Sequence, residues 1–143
     1  MSVRVWRTAS EEETIALGRE LARRLPRPCL VLLSGNLGAG KTTLAKGLVE
    51  GLGAARQEEV SSPTFTLVHD YGAGVFHIDL YRIESPRELA ALGLEEILDR
   101  GDAVVLVEWG ERFRRFLPGP LVEVELLPQG GDTREIRVSG LEG

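Results

Sequence analysis

Residues 35 to 42 run Gly35-Asn36-Leu37-Gly38-Ala39-Gly40-Lys41-Thr42, a spacing of residue types that suits the holding of phosphate. Glycines at 35, 38 and 40 permit the torsions that turn successive backbone N–H groups inward around an anion. A helix beginning at Lys41 would add its unpaired N-terminal N–H groups and the positive end of its dipole. Lys41 supplies a mobile point charge for β- and γ-phosphates, and Thr42 offers a hydroxyl to magnesium. Only Lys41 and Lys46 are lysines among 17 basic residues, so an arginine-rich chain places a lysine at the phosphate position. The pattern also arises by chance, and its context decides. Here an apolar strand precedes it and an amphipathic helix follows. The expected ligands are ATP or GTP, the diphosphate product, and Mg²⁺.

Such a cradle needs an acid at the end of a nearby strand to hold the magnesium shell. Two segments qualify, Val104-Val105-Leu106-Val107-Glu108 and Val75-Phe76-His77-Ile78-Asp79. The first reads more like a buried central strand, which makes Glu108 the metal-side acid. Asp79, in an alternating strand, suits a water-orienting or switch role. Thr64, in Ser62-Pro63-Thr64-Phe65, could meet a γ-phosphate or its magnesium, or serve as a turn hydroxyl. Trp109 could stack on a base or fill core, and Arg82 and Arg134 could touch phosphate or form surface ion pairs. His69 and His77 are too isolated to suggest a metal site and read as strand side chains.

The elements that must position these residues alternate along the chain. A strand is expected at residues 3–7. A capping box of Ser10 and Glu13 opens a helix to about Leu25, with Ile15, Leu21, Ala22 and Leu25 as its apolar stripe. Residues 30–33 form a strand buried on both faces, and a helix runs from Thr42 to about Leu52. Residues 65–71 and 75–81 read as a hairpin around Gly72-Ala73-Gly74. Ser85-Pro86-Arg87-Glu88 starts another helix, with a break at Gly93. Residues 103–107 form a second buried strand and 111–116 a short helix, and 121–127 pairs with 134–138 in a final hairpin. No repeat or linker divides the chain. The expected architecture is one domain over residues 1–143, a three-layer P-loop NTPase-like α/β sandwich with a mixed parallel and antiparallel sheet.

Composition narrows the partners. With 43% hydrophobic and 27% charged residues the chain is that of an ordinary globular protein, and no apolar run is long enough to span a bilayer. The first six residues carry no signal-peptide pattern, and Cys29, the only cysteine, lies among apolar residues; a cytoplasmic location with no membrane partner is expected. A net charge of −5 argues against gripping nucleic acid unaided, because that binding depends on neutralising phosphates. The cluster Arg112, Arg114 and Arg115 reads as a solvated face, with docking of a protein partner as its candidate use.

The motifs 35–43, Ser62-Pro63-Thr64-Phe65-Thr66-Leu67-Val68, His77-Ile78-Asp79-Leu80-Tyr81-Arg82 and Val107-Glu108-Trp109 occur in that order. This set resembles the TsaE (YjeE) family over about Ser10 to Val138. The later motifs are more specific than the cradle, which unrelated NTPases share. The resemblance implies a weak ATPase of tRNA threonylcarbamoyladenosine (t6A) biosynthesis. It would act with TsaB and TsaD, and with a separate enzyme making threonylcarbamoyl-adenylate, on adenosine 37 of tRNAs reading codons that start with A. It implies nucleotide contacts from residues 35–43, including Thr43, with Thr42 and Glu108 serving magnesium and Asp79 needed for hydrolysis. Thr8, Ser10 and Arg134 would lie near the adenine end. Asn36 departs from the family, where an acid is common there. The rival readings are a small-molecule kinase, for which an arginine-rich lid is missing, and a non-catalytic nucleotide-sensing module.

Overall fold

The computed structural model describes residues 3–35, 40–54 and 68–141. Asn36, Leu37, Gly38, Ala39 and Thr64 lie outside the described residues, as do the first residues of the strand expected at 65–71.

The short apolar runs become the middle of the sheet. β2 (Cys29–Ser34), β4 (Val75–Asp79) and β5 (Val104–Glu108) are buried almost throughout. Continuous apolar sequence of this kind is what strands covered on both faces require. β2 lies parallel to β5 on one side and to β6 (Leu121–Pro128) on the other, and β5 lies parallel to β4. β3 (Val68–Asp70) pairs antiparallel with β4, forming the expected hairpin. At the other end β7 (Arg134–Ser139) joins β6 to β1 (Val3–Thr8), both antiparallel. The order is β1-β7-β6-β2-β5-β4-β3, a mixed seven-stranded sheet.

Alternation along the strands divides the core in two. Cys29, Val31 and Leu33 face α1 (Glu11–Ala22) and α2 (Lys41–Gly51). Leu30 and Leu32 face the opposite layer, where α3 (Pro86–Ala90), α4 (Leu94–Leu98) and a 3₁₀ helix (Glu111–Phe116) contribute Leu89, Leu94, Leu98 and Phe113. Helices on both faces make the expected three layers.

Local chemistry sets the helix boundaries. Ser10 Oγ accepts from the Glu13 N–H at 3.1 Å, and Glu13 Oε1 accepts from the Ala9 N–H at 2.8 Å. Ser85 and Glu88 repeat this device at α3, with Pro86 in the first turn. Gly93, at φ 72°, separates α3 from α4 where the break was expected. α1 ends at Ala22 rather than Leu25, and its buried face is Thr14, Leu17, Gly18, Leu21 and Ala22. Ile15 of the expected stripe is only half-buried.

The reason is the approach of α2. A Cβ on Gly47 would lie 2.0 Å from the Ile15 carbonyl oxygen, and one on Gly18 would lie 2.6 Å from that of Leu44. Gly51 meets Ala22 Cβ in the same way, at 2.8 Å. The two helices touch backbone to backbone, and an Arg19–Glu50 ion pair flanks the contact.

In an open helix Gly→Ala stabilises by about 1 kcal/mol. Gly47→Ala should instead destabilise by about 2 kcal/mol or more, because the methyl has nowhere to go. Denaturant titration decides the sign, and a stabilised variant would disprove the close approach. Cys29 has no exposed surface, and burial pushes its thiol pKa up to about 12. Since the thiolate is the nucleophile, the native protein at pH 8 should resist iodoacetamide and react only on unfolding. Rapid native labelling would contradict this packing.

Candidate functional site

The parallel strands β2, β5 and β4 end level with one another. Leu33 pairs with Glu108 and Glu108 pairs with Asp79, in one row across the sheet. By alternation, Glu108, Asp79 and His77 project to the face that carries α2. Leu80 N–H donates to the Glu108 carbonyl at 2.9 Å and extends the row by one step. The chain leaving β2 returns as α2, whose first residue is Lys41. One basic and two acidic side chains from three separate motifs therefore meet at one end of the sheet.

α2 shares a left-handed glycine N-cap with α4 but differs from the other α-helices described in its first turn. Gly40 is its N-cap at φ 98°, with no side-chain cap bond, and its first turn carries no acid. α1, α3 and α4 each carry at least one acid there. The N–H groups of a first helical turn lack intrahelical acceptors, and with the positive end of the dipole they are suited to an anion. Thr42 and Thr43, in that turn, are half-buried.

Lys41 is only 5% exposed, yet among the described residues its Nζ has no hydrogen-bond partner. It rests 3.6 Å from the centroid of the Trp109 ring. Burial lowers its pKa below 10.5, while the charges of Glu108, Glu111 and Asp79 oppose that shift. An aromatic face attracts an ammonium but supplies no hydrogen-bond acceptor. Trp109 reaches this place through a left-handed backbone at φ 60°, a conformation costing a non-glycine residue on the order of 1 kcal/mol. It packs edge-on against the exposed Tyr81, ring centroids 5.3 Å apart.

The acids differ in their partners. Asp79 Oδ1 accepts from the Tyr81 N–H at 2.8 Å, while Oδ2 is buried with no partner among the described residues. Glu108 Oε2 lies 2.5 Å from His77 Nε2. The Arg112 guanidinium donates to the carbonyls of Leu80, Tyr81 and Ile83, clamping the turn that follows Asp79. Arg114 forms a forked pair with Glu123 at 2.5 and 2.7 Å. Two of the three arginines read as a docking face are thus engaged within the chain.

Thr8, Ser10 and Arg134 also come together. Thr8 pairs with Arg134 across β1 and β7, and a Cβ on Gly40 would lie 3.4 Å from Arg134 Nε. Arg134 Nη1 donates to the carbonyls of Gly131 and Thr133 at 2.7 and 3.0 Å. The Thr8 and Thr14 hydroxyls bond at 2.7 Å, and Ser10 caps α1. Arg134 thus lies beside Gly40, with Thr8 opposite it in β1. Sequence reasoning set His77 aside as a strand side chain, gave Tyr81 no separate role and read Arg112 only as part of a solvated or docking face. Strand alternation was the available signal for His77, since it shares the face of Asp79, two residues on.

A mixed sheet between helix layers, with a glycine-capped helix following β2 and acids at the ends of β4 and β5, defines an α/β protein of P-loop-like fold. The crystal structure of Bacillus subtilis YdiB matches it with a TM-score of 0.75 at 34% identity, over 96% of this chain and 84% of that one. The family model described as threonylcarbamoyl adenosine biosynthesis protein TsaE matches residues 8–136. The tRNA threonylcarbamoyladenosine biosynthesis protein TsaE of Bacillus subtilis is 42% identical over 134 residues, 92% of this chain and 82% of its own length. Its counterpart in Treponema pallidum is 39% identical over 132 residues, 91% of this chain and 96% of its own. The chain belongs to the TsaE family of t6A biosynthesis. No described helix is long and apolar enough to cross a membrane.

Because burial disfavours the Lys41 ammonium on balance, Lys41→Met should stabilise the ligand-free protein by about 1 kcal/mol. The thioether chain can keep its contact with Trp109. Thermal melting without ligand reads this, and a clear loss of stability would show that the acids outweigh the burial.

Proposed function

We propose that this chain is a magnesium-dependent ATPase that supports t6A modification at tRNA position 37, working through TsaB- and TsaD-like partners. The observation that carries the reading is the buried Lys41 ammonium, which has no hydrogen-bond acceptor among the described residues, beside the start of α2, whose N-cap makes no side-chain bond. Phosphate oxygens are the acceptors such an ammonium lacks, and charge-assisted contacts of this kind are the strong ones. The unpartnered Asp79 Oδ2 and the Glu108 carboxylate suit a metal cation and its water shell equally well.

In this reading Lys41 leaves the Trp109 ring for the β- and γ-phosphates. The first-turn N–H groups of α2 and the residue 35–40 loop hold the remaining phosphate oxygens. Thr42 and Glu108 hold magnesium, which when bound neutralises charge developing on the transferred group. Asp79 Oδ2 orients the water whose oxygen bonds to the γ-phosphorus as the β–γ bridging bond breaks, and ADP and phosphate leave. Thr8, Ser10 and Arg134 border the nucleoside end. Thr64 belongs with the γ-phosphate or its magnesium. Net charge of −5 and the internal engagement of Arg112 and Arg114 favour a route to tRNA through protein partners.

Calorimetry and steady-state hydrolysis together test the assignment. Lys41→Ala should weaken ATP binding tenfold or more, the loss of about 1.5–3 kcal/mol expected for a hydrogen bond to a charged group. Asp79→Asn should bind ATP within about threefold of the parent and lose turnover by about 100-fold. Glu108→Gln should lose magnesium-dependent binding as well as rate. Unchanged ATP affinity in Lys41→Ala would sink the reading, and identical profiles for the two acid variants would remove the division between them.

A further inference from the structure

The functional reading above leaves His77 without a task, and its surroundings are unusual for a strand side chain. It has no exposed surface and sits among the apolar residues Val75, Phe76 and Ile78 of β4. Burying an imidazole there costs free energy unless its nitrogens find partners. Both do. Nε2 lies 2.5 Å from Glu108 Oε2, and Nδ1 lies 3.3 Å from the Tyr71 hydroxyl. That hydroxyl also lies 3.3 Å from His69 Nδ1, so the contacts run from Glu108 to the edge strand β3.

The chemistry fixes the direction of the first bond. An ionised Glu108 carboxylate only accepts, so in that state His77 Nε2–H donates to Oε2, and in the neutral imidazole Nδ1 is then the acceptor for the Tyr71 O–H. Register explains why the partners meet. His77 stands opposite Leu106, two residues before the Asp79–Glu108 pair, on the same face of the sheet. Among the described residues Oε2 is the only oxygen of the Glu108 carboxylate with a hydrogen-bond partner.

We infer that His77 is a positioning residue for Glu108. It anchors Oε2 so that Oε1 is presented in one orientation at the edge of the sheet where α2 begins, and Tyr71 in turn anchors the imidazole. The inference rests on the reading of Glu108 as the metal-side acid. A carboxylate that rotates freely must be ordered by each metal that binds. One already held presents its oxygen without that loss, which is why outer-shell partners commonly set metal affinity by about 10- to 100-fold.

The test uses the full chain and a non-hydrolysable ATP analogue titrated at a series of Mg²⁺ concentrations, with direct Mn²⁺ binding followed by electron paramagnetic resonance. His77→Met and His77→Gln have similar length and differ in the N–H donor. His77→Met should weaken apparent metal affinity about 10- to 100-fold, while analogue affinity in excess EDTA stays within about twofold. His77→Gln should recover most of the loss. Metal affinity in His77→Met equal to that of the parent overturns the inference, as does equal weakening in both variants. Glu108→Gln separates the two failures. If it loses metal-dependent binding while His77→Met keeps it, only the positioning role falls. If Glu108→Gln also keeps it, the metal assignment of Glu108 falls too. Should His77→Met not fold, Tyr71→Phe replaces it, with about threefold or greater loss of Mn²⁺ affinity expected and no change overturning the inference.

Discussion

Parallel pairing of β2, β5 and β4 is the constraint from which the rest of the site follows. Parallel strands all end at the same edge of a sheet, and in α/β folds ligands gather beyond that edge. The register Leu33–Glu108–Asp79 places two acids level with the start of the loop that leads to Lys41. A slip of one residue in β5 would turn Glu108 to the opposite layer, among Leu89 and Phe113, and bring Val107 to face α2. The continuous apolar runs that pin the register also guarantee that whatever sits at their ends is poorly hydrated. Charge placed there interacts strongly and is uncomfortable without a counterpart.

That discomfort is visible in several places at once. Among the described residues Lys41 is buried over an aromatic ring with no acceptor and Asp79 keeps an unpartnered oxygen, while Trp109 holds a left-handed backbone. Elsewhere α1 and α3 carry side-chain caps and apolar residues lie inside, and the other left-handed non-glycine residue, Ala73, sits in the tight β3–β4 turn. Buried polar groups that lack partners among the described residues gather at one edge of the sheet, where sequence rules fail for reasons other than folding. Arg112 shows the cost being contained: its guanidinium ties three carbonyls together just after Asp79, fixing the turn on which that acid depends.

Much of this could be read from the chain, and the division between what could and could not is physical. The Ser10–Glu13 and Ser85–Glu88 caps and the turn at Gly72 to Gly74 are local patterns, so their meaning is carried by neighbouring residues, and the cradle proposed at residues 35–42 is a pattern of the same local kind. The roles offered for Glu108 and Asp79 came from strand ends, which apolar runs reveal. His77 escaped because its partner is 31 residues away and only the β4–β5 register brings them together. Trp109 was weighed as base platform or core, and its contact with Lys41 Nζ at 3.6 Å, between distant motifs, was not foreseen. The apolar stripe of α1 was misjudged for a related reason. Glycine contributes nothing to a hydrophobic pattern, yet Gly18 lies at the centre of the α1–α2 contact.

The glycine seam also determines which parts of the molecule can respond to a ligand. Helices separated by side chains can slide, since rotamers take up the displacement. Helices in backbone contact at Gly18, Gly47 and Gly51 have no such cushion, and the Arg19–Glu50 pair adds a further tie. α1 and α2 therefore travel as one solid piece, together with the strands they cover. Motion is left to the parts mounted on that anvil: the Lys41 side chain and the Tyr81–Trp109 pair. Binding at the start of α2 would be felt as a rearrangement of this small aromatic and acidic rim, with the helix behind it standing still.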